Sequence, residues 1–176
     1  MRIEGEPEDW LSWLTGSSSR RRKEATLILG GLTPEDNVRL APLIEALSSE
    51  IDDLVFWSAT GLGCSGSRAI NAVSELVRVA SFHEQFGNRQ AAVSALSEIA
   101  PDSAIAKAAV LRSLGDSSPI VRRQALQALI QFTELSADDL CRIEVMEHDP
   151  DEAVASWSEI ALRNIRSNTQ HKQPKN

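Results

Sequence analysis

A chain of 176 residues, 42% hydrophobic and carrying a net charge of −7, is long enough for one domain with a real core. It contains no apolar run long enough to span a bilayer, and the opening segment, residues 1–7, lacks the apolar centre of a secretion signal. Cys64 and Cys141 stand far apart and outside any paired spacing, which argues against a disulfide framework or thiolate metal site and for a soluble, cytoplasmic protein.

The chain repeats itself. Leu29, Leu62, Leu96, Leu129 and Leu162 are spaced 33, 34, 33 and 33 residues apart, each with a small residue four positions earlier: Ala25, Ser58, Ala92, Ala125 and Ser158. In the last four units Leu54, Asn88, Val121 and Val154 stand eight positions before the leucine. Spacings of 4 and 8 lie on one helical face, so each unit ends in an amphipathic helix whose small residues admit a close neighbour. Fifteen positions before the leucines come Leu14, Leu47, Ser81 beside Phe82, Leu114, and more weakly Glu147 beside Met146, marking a first helix in every unit.

In chain order, residues 1–7 form an extension and 8–166 the repeat domain. The first pair spans 8–15 and 19–30, with Trp10, Leu11 and Leu14 sealing the amino-terminal end and Trp13 partly exposed outside it. Thr33-Pro34-Glu35-Asp36 opens the next helix, 34–49, by a capping hydroxyl and a proline at the first helical position. Its partner, 52–63, is expected to end at Gly63, as Gly30-Gly31 ends 19–30, where a left-handed residue is wanted. Helices 67–82 and 87–99 follow, then 102–114 and 118–132, the latter opened by Ser118-Pro119. The last pair is 136–147, with Ser136 through Asp139 resembling a capping box, and 150–166 behind Asp149-Pro150. The polar tail 167–176 is expected to be disordered. No stretch alternates with period two, so no sheet is assigned.

The run from Asp116 through Ser118, Pro119, Val121, Arg122, Ala125 and Ala128 to Leu129 resembles the signature of a HEAT repeat. The run from Asp149 to Leu162 is similar, and Pro42 to Leu47 resembles the first helix of that family. The resemblance covers residues 8–166 and implies an all-α, right-handed α-solenoid of about five HEAT-like helix pairs. Gly16, Ser49 and His83 replace the aspartate in the first three units, and Val55 the arginine in the second. Arg122, six residues after Asp116, matches the family's turn-to-helix ion pair, and Arg22 and Arg89 share its register. These arginines read as structural links between neighbouring turns.

Several chemistries were weighed. Residues 61–66 spell the glycine pattern of a dinucleotide turn, but that chemistry needs a strand before the glycines and a helix starting at them. His83-Glu84 is similar to the pairs that hold iron in one hydroxylase branch of HEAT proteins, yet a single pair supplies too few ligands for a metal. Neither cysteine has a histidine nearby in sequence, so no catalytic residue and no cofactor is assigned.

Function is expected on the concave side, lined by the second (B) helix of each pair. The registers six before, two before and one after each leucine place Lys23 and Leu27, Phe56 with Thr60 and Gly63, and Gln90 with Ser94 and Ser97 on that side. Arg123, Gln127 and Ile130 follow, then Ser156, Ile160 and Arg163. Apolar residues rimmed by polar ones there suggest a non-enzymatic scaffold for another protein, with Phe56 the expected anchor. An excess of acids over residues 134–159 favours a basic partner, as for an immunity-like inhibitor, with Asp138, Asp139 and Glu144 steering its approach. A HEAT-like enzyme or nucleic-acid module, glycosylase-like or cofactor-lyase-like, is the alternative. The net charge and sparse Lys and Arg disfavour nucleic acid.

Overall fold

The computed structural model describes residues 13, 16–21, 24–25 and 40–171. Most of the expected first pair, the Thr33-Pro34 cap and Gly30-Gly31 lie outside the described residues. Helix α1 spans Ala41–Ala46 and α2 spans Asp52–Cys64. A 3-10 segment, Gly66–Ala72, leads into α3, Val73–Phe82, and α4 follows at Phe86–Ile99. Helix α5, Ala104–Arg112, pairs with α6, Pro119–Leu129. Helix α7, Ala137–Val145, pairs with α8, Glu152–His171. Among the described residues there is no strand.

These helices form four antiparallel A–B pairs, α1/α2 to α7/α8. The B helices pack in succession, α2 on α4, α4 on α6 and α6 on α8, giving an all-α repeat solenoid. The leucine anchors explain the stacking. Leu62, Leu96 and Leu129 are fully buried and Leu162 nearly so, each contributing about 2 kcal/mol of apolar burial. Ser58, Ala92, Ala125 and Ser158 are also fully buried, small enough for a neighbouring helix to lie close. Three residues before the anchors, Ala59, Val93 and Leu126 vanish between successive B helices, whereas the equivalent Glu159 is exposed. Helix α8 thus presents a polar residue at this register.

Local chemistry revises several boundaries. Gly63 does not end a helix; it lies inside α2, and the left-handed glycine is Gly66, with φ 55°. The expected helix 67–82 is broken by Ala69 (φ −89°, ψ 19°) into a 3-10 segment and α3. Ser136 and Asp139 form a reciprocal capping box. Pro119 opens α6, but the cap at α8 falls on Asp151, whose carboxylate accepts from the N–H groups of Ala153 and Val154. Helix α8 also runs to His171, into the segment expected to be disordered.

The turns between A and B helices are riveted to one another. Arg89 makes a bidentate pair with Asp116, 2.7 and 2.8 Å, and Arg122 an identical one with Asp149, each across 27 residues. Each arginine also donates from Nη1 to carbonyls of its own turn: His83 and Glu84 for Arg89, Asp116 and Ser117 for Arg122. The carboxylate partner of Arg122 is thus the aspartate of the following unit, and Asp116 meets Arg122 through its backbone oxygen. Arg122 holds the Asp149 carboxyl below its ordinary value against the opposing effect of burial. For Asp116 burial favours the neutral form, but hydrogen bonds from Arg89 and the Ser118 N–H outweigh it and lower the pKa.

Candidate binding groove

On the B-helix side α2 and α4 are separated by a groove of roughly 190 Å³, which Gln124 of α6 borders. Phe56, Thr60 and Gly63 come from α2, and Gln90, Ala91, Ser94, Ala95 and Glu98 from α4. Positions three or four apart on each helix supply this lining, as one helical face should. Phe56 is half-buried, packs against the core, and meets Trp57 edge to face at 5.1 Å. Its remaining surface faces the groove beside Ala91.

Gly63 shapes the floor. A Cβ there would lie 2.8 Å from Glu98 Oε2 and 3.2 Å from the Ala95 Cα, so the missing side chain lets α4 approach and admits a carboxylate. Glu98 Oε1 accepts a hydrogen bond from Ser94 at 3.3 Å. Among the described residues no lysine or arginine forms an ion pair with Glu98. Beside it, partial burial and then the Glu98 charge push the Cys64 thiol above its ordinary pKa, which keeps it protonated and a poor nucleophile. The groove thus offers an aromatic wall, amide and hydroxyl groups, and one acceptor of positive charge.

The sequence candidates divide. Phe56 and Gln90 line this groove with Thr60 and Ser94, and the Gln90 amide reaches Gln124 at 3.4 Å. Arg123 and Gln127 are half-buried on α6, and Ile130, just beyond its end, packs against the core. Ile160 and Arg163 are exposed on α8, where Arg163 borders a separate hollow with Glu147, Glu159 and Arg166. Lys23 and Leu27 lie outside the described residues. Ser97, expected in the groove, is buried and donates to the Ser94 carbonyl, because the register one after the anchor turns toward the neighbouring helix. Sequence reasoning missed Glu98 and Gln124, two after and five before their anchors. A wheel widened by one position would have included both.

The acids expected to steer a partner also divide. Asp138 is exposed, but Asp139 is buried in its capping box beside Lys107 at 3.3 Å, and Glu144 pairs with Arg166 at 2.7 Å. Asp139 is therefore structural, whereas Glu144 sits in a largely solvent-exposed pair. His83 sits in a polar turn, with Asp52 at 3.8 Å, and no group of three metal-binding side chains occurs among the described residues. Residues 61–66 are the end of α2 and the turn after it, with no strand before them. No described helix is long and apolar enough to cross a membrane.

Residues 108–136 match the HEAT repeat family. No curated protein is significantly similar to the chain in sequence. In fold, an engineered protein is similar with a TM-score of 0.67 at 21% identity, over 93% of this chain and 82% of its own. The complex of CpcE and CpcF of phycocyanin lyase from Nostoc sp. PCC7120 gives 0.71 at 22% identity, over 94% and 67%. A designed armadillo repeat protein in complex with the peptide (KR)4 gives 0.60 at 16% identity, over 89% and 80%.

Proposed function

We propose that this HEAT-repeat solenoid is a non-catalytic scaffold that holds a segment of a partner protein on its B-helix face, an apolar side chain of the partner against Phe56 and a lysine or arginine at Glu98. The observation that carries this reading is the α2–α4 groove, where a glycine makes room for a carboxylate that no described cation neutralises. A binding site of this kind needs a partly desolvated aromatic anchor and a polar rim. Catalysis would need convergent acid, base or nucleophile groups, and the Cys64 thiol is tuned away from reactivity. The designed armadillo protein of similar fold has a basic peptide as its partner, which suits the charge of Glu98. Five further exposed acids, Glu134, Asp138, Glu147, Glu152 and Glu159, favour encounter with a basic protein.

The test is affinity capture with mass spectrometry, followed by calorimetric titration of the recovered partner. Phe56→Ala is expected to weaken binding by about 2 kcal/mol. Because the half-buried ring also packs on Trp57 and the core, it should lower the melting temperature too, so binding is read where thermal melts show the variant folded. Glu98→Gln should weaken it too, with the loss shrinking in high salt. A partner that binds both variants as tightly as the parent protein would refute the groove. Turnover of a captured small molecule would refute the non-catalytic reading.

A further inference from the structure

The edge built by the A-to-B turns carries a second surface, distinct from the groove. Phe82, the last residue of α3, is 79% exposed, and Phe86, the first of α4, is 46% exposed. Ile51, just before α2, and Ile120, second in α6, are 58% and 37% exposed. These four large apolar side chains come from three consecutive turns and add little to the core. Their spacing is fixed by the links beneath them. Asn88 donates to Asp52 across the first two turns at 3.3 Å, and Arg89 clamps Asp116 across the next two. A rigid row of exposed apolar groups loses little freedom when it is covered.

Charge indicates what covers it. Glu50, Asp52 and Glu84, next to Ile51 and Phe82 in the chain, are exposed. Among the described residues several neighbouring cations are already engaged, while Arg123, three residues after Ile120, forms no ion pair. Arg89 and Arg122 are closed into their aspartate pairs, and Arg78 is held by Glu75 and the Leu47 carbonyl. In the first unit Arg20 pairs with Glu24 and Arg21 lies over Trp13. The exposed acids beside Ile51 and Phe82 repel phosphate and anionic lipid from that part of the row. We infer that this turn edge docks a partner-protein segment whose apolar side chains are interspersed with lysines and arginines.

The probe is a labelled peptide of leucine and lysine patterned for one apolar helical face, compared with a counterpart in which glutamate replaces lysine. Fluorescence anisotropy at physiological salt reads binding to the full chain. The lysine peptide is expected to bind, and Phe82→Ser and Ile51→Ser each to weaken it on the order of tenfold while melting as the parent protein does. Phe56→Ala removes any share of binding that the groove contributes and should leave intact the share that Phe82→Ser and Ile51→Ser remove, so loss of the groove and loss of the edge are told apart. Equal binding of the glutamate peptide, or retained affinity in both edge variants, overturns the inference. So does loss, in Phe56→Ala, of the share of binding that Phe82→Ser removes. Binding to anionic vesicles, or self-association in sedimentation, that Phe82→Ser abolishes would assign the edge to a lipid surface or a second copy, and would equally overturn it.

Discussion

Ser58 and Ser158 occupy the same register in their units, and both are fully buried. The Ser158 hydroxyl donates to the Ile143 carbonyl at 2.6 Å, whereas the Ser58 hydroxyl has no hydrogen-bond partner among the described residues. An unpaired buried hydroxyl costs about 1–3 kcal/mol. Ser58→Ala should therefore raise stability by about 1 kcal/mol, and Ser158→Ala should lower it by about 1 kcal/mol, read from urea midpoints. Losses of equal size would reveal a partner for Ser58. Gly63→Ala presents a sharper conflict. Alanine improves helix propensity by about 1 kcal/mol, and the Glu98 side chain can swing aside, but the Ala95 Cα at 3.2 Å is backbone and cannot. The α2–α4 contact must then open, and a net loss of about 1–2 kcal/mol is expected. A more stable Gly63→Ala protein would mean that the two helices have slack. The glycine was visible in the sequence but misread as a helix end, because only the neighbouring helix reveals what its missing Cβ accommodates.

At the level of elements, the turn-to-turn arginines set both stability and its pH dependence. Arg122→Ala leaves Asp149 nearly buried without its partner, at a cost of about 3 kcal/mol. Asp116 and Asp149 titrate below their ordinary value in the folded protein. Acids of this kind stabilise fully above their unfolded pKa of about 3.9, and that contribution is lost as pH falls through the lower folded value. Stability should thus decline below about pH 4, and Arg122→Ala should show a shallower decline, followed by denaturant titration across the acid range. An unchanged slope would remove Asp149 from the account. Helix phase has its own check. Leu129→Ala should cost about 2–5 kcal/mol and Gln127→Ala less than about 0.5 kcal/mol. The 33-residue spacing exposed the helices because burial recurs on one face of each. Their ends were harder to read. Asp149 is taken by an arginine of the preceding unit, so Asp151 caps α8 instead, and such competition between distant groups leaves no local mark. The unit that carries Val55 in place of arginine precedes the one that carries His83 in place of aspartate, which fits a pair reaching into the following unit, whereas Arg22 precedes a unit with Ser49 at that position.

For the molecule as a whole, far-ultraviolet circular dichroism should be dominated by helix, and a sheet signal would contradict the fold. The solenoid was legible because each unit repeats one solution to burying a leucine. The groove was legible in part, since Phe56 and Gln90 fall on the expected face, while Glu98 lies one position outside it and fits there through the room that Gly63 leaves on the facing helix. Glu159 at the position of Leu126 puts an exposed acid where the preceding units bury an apolar residue. The forward reach of the arginines also gives the molecule a direction in time. During synthesis Arg89 and Arg122 leave the ribosome 27 residues ahead of Asp116 and Asp149, at a rate of about 5–20 residues per second. Each guanidinium can meanwhile be held by the carbonyls of its own turn. The α5/α6 and α7/α8 units then each meet a cation already aimed at them, so this part of the chain can assemble as a zipper closing from the amino-terminal side.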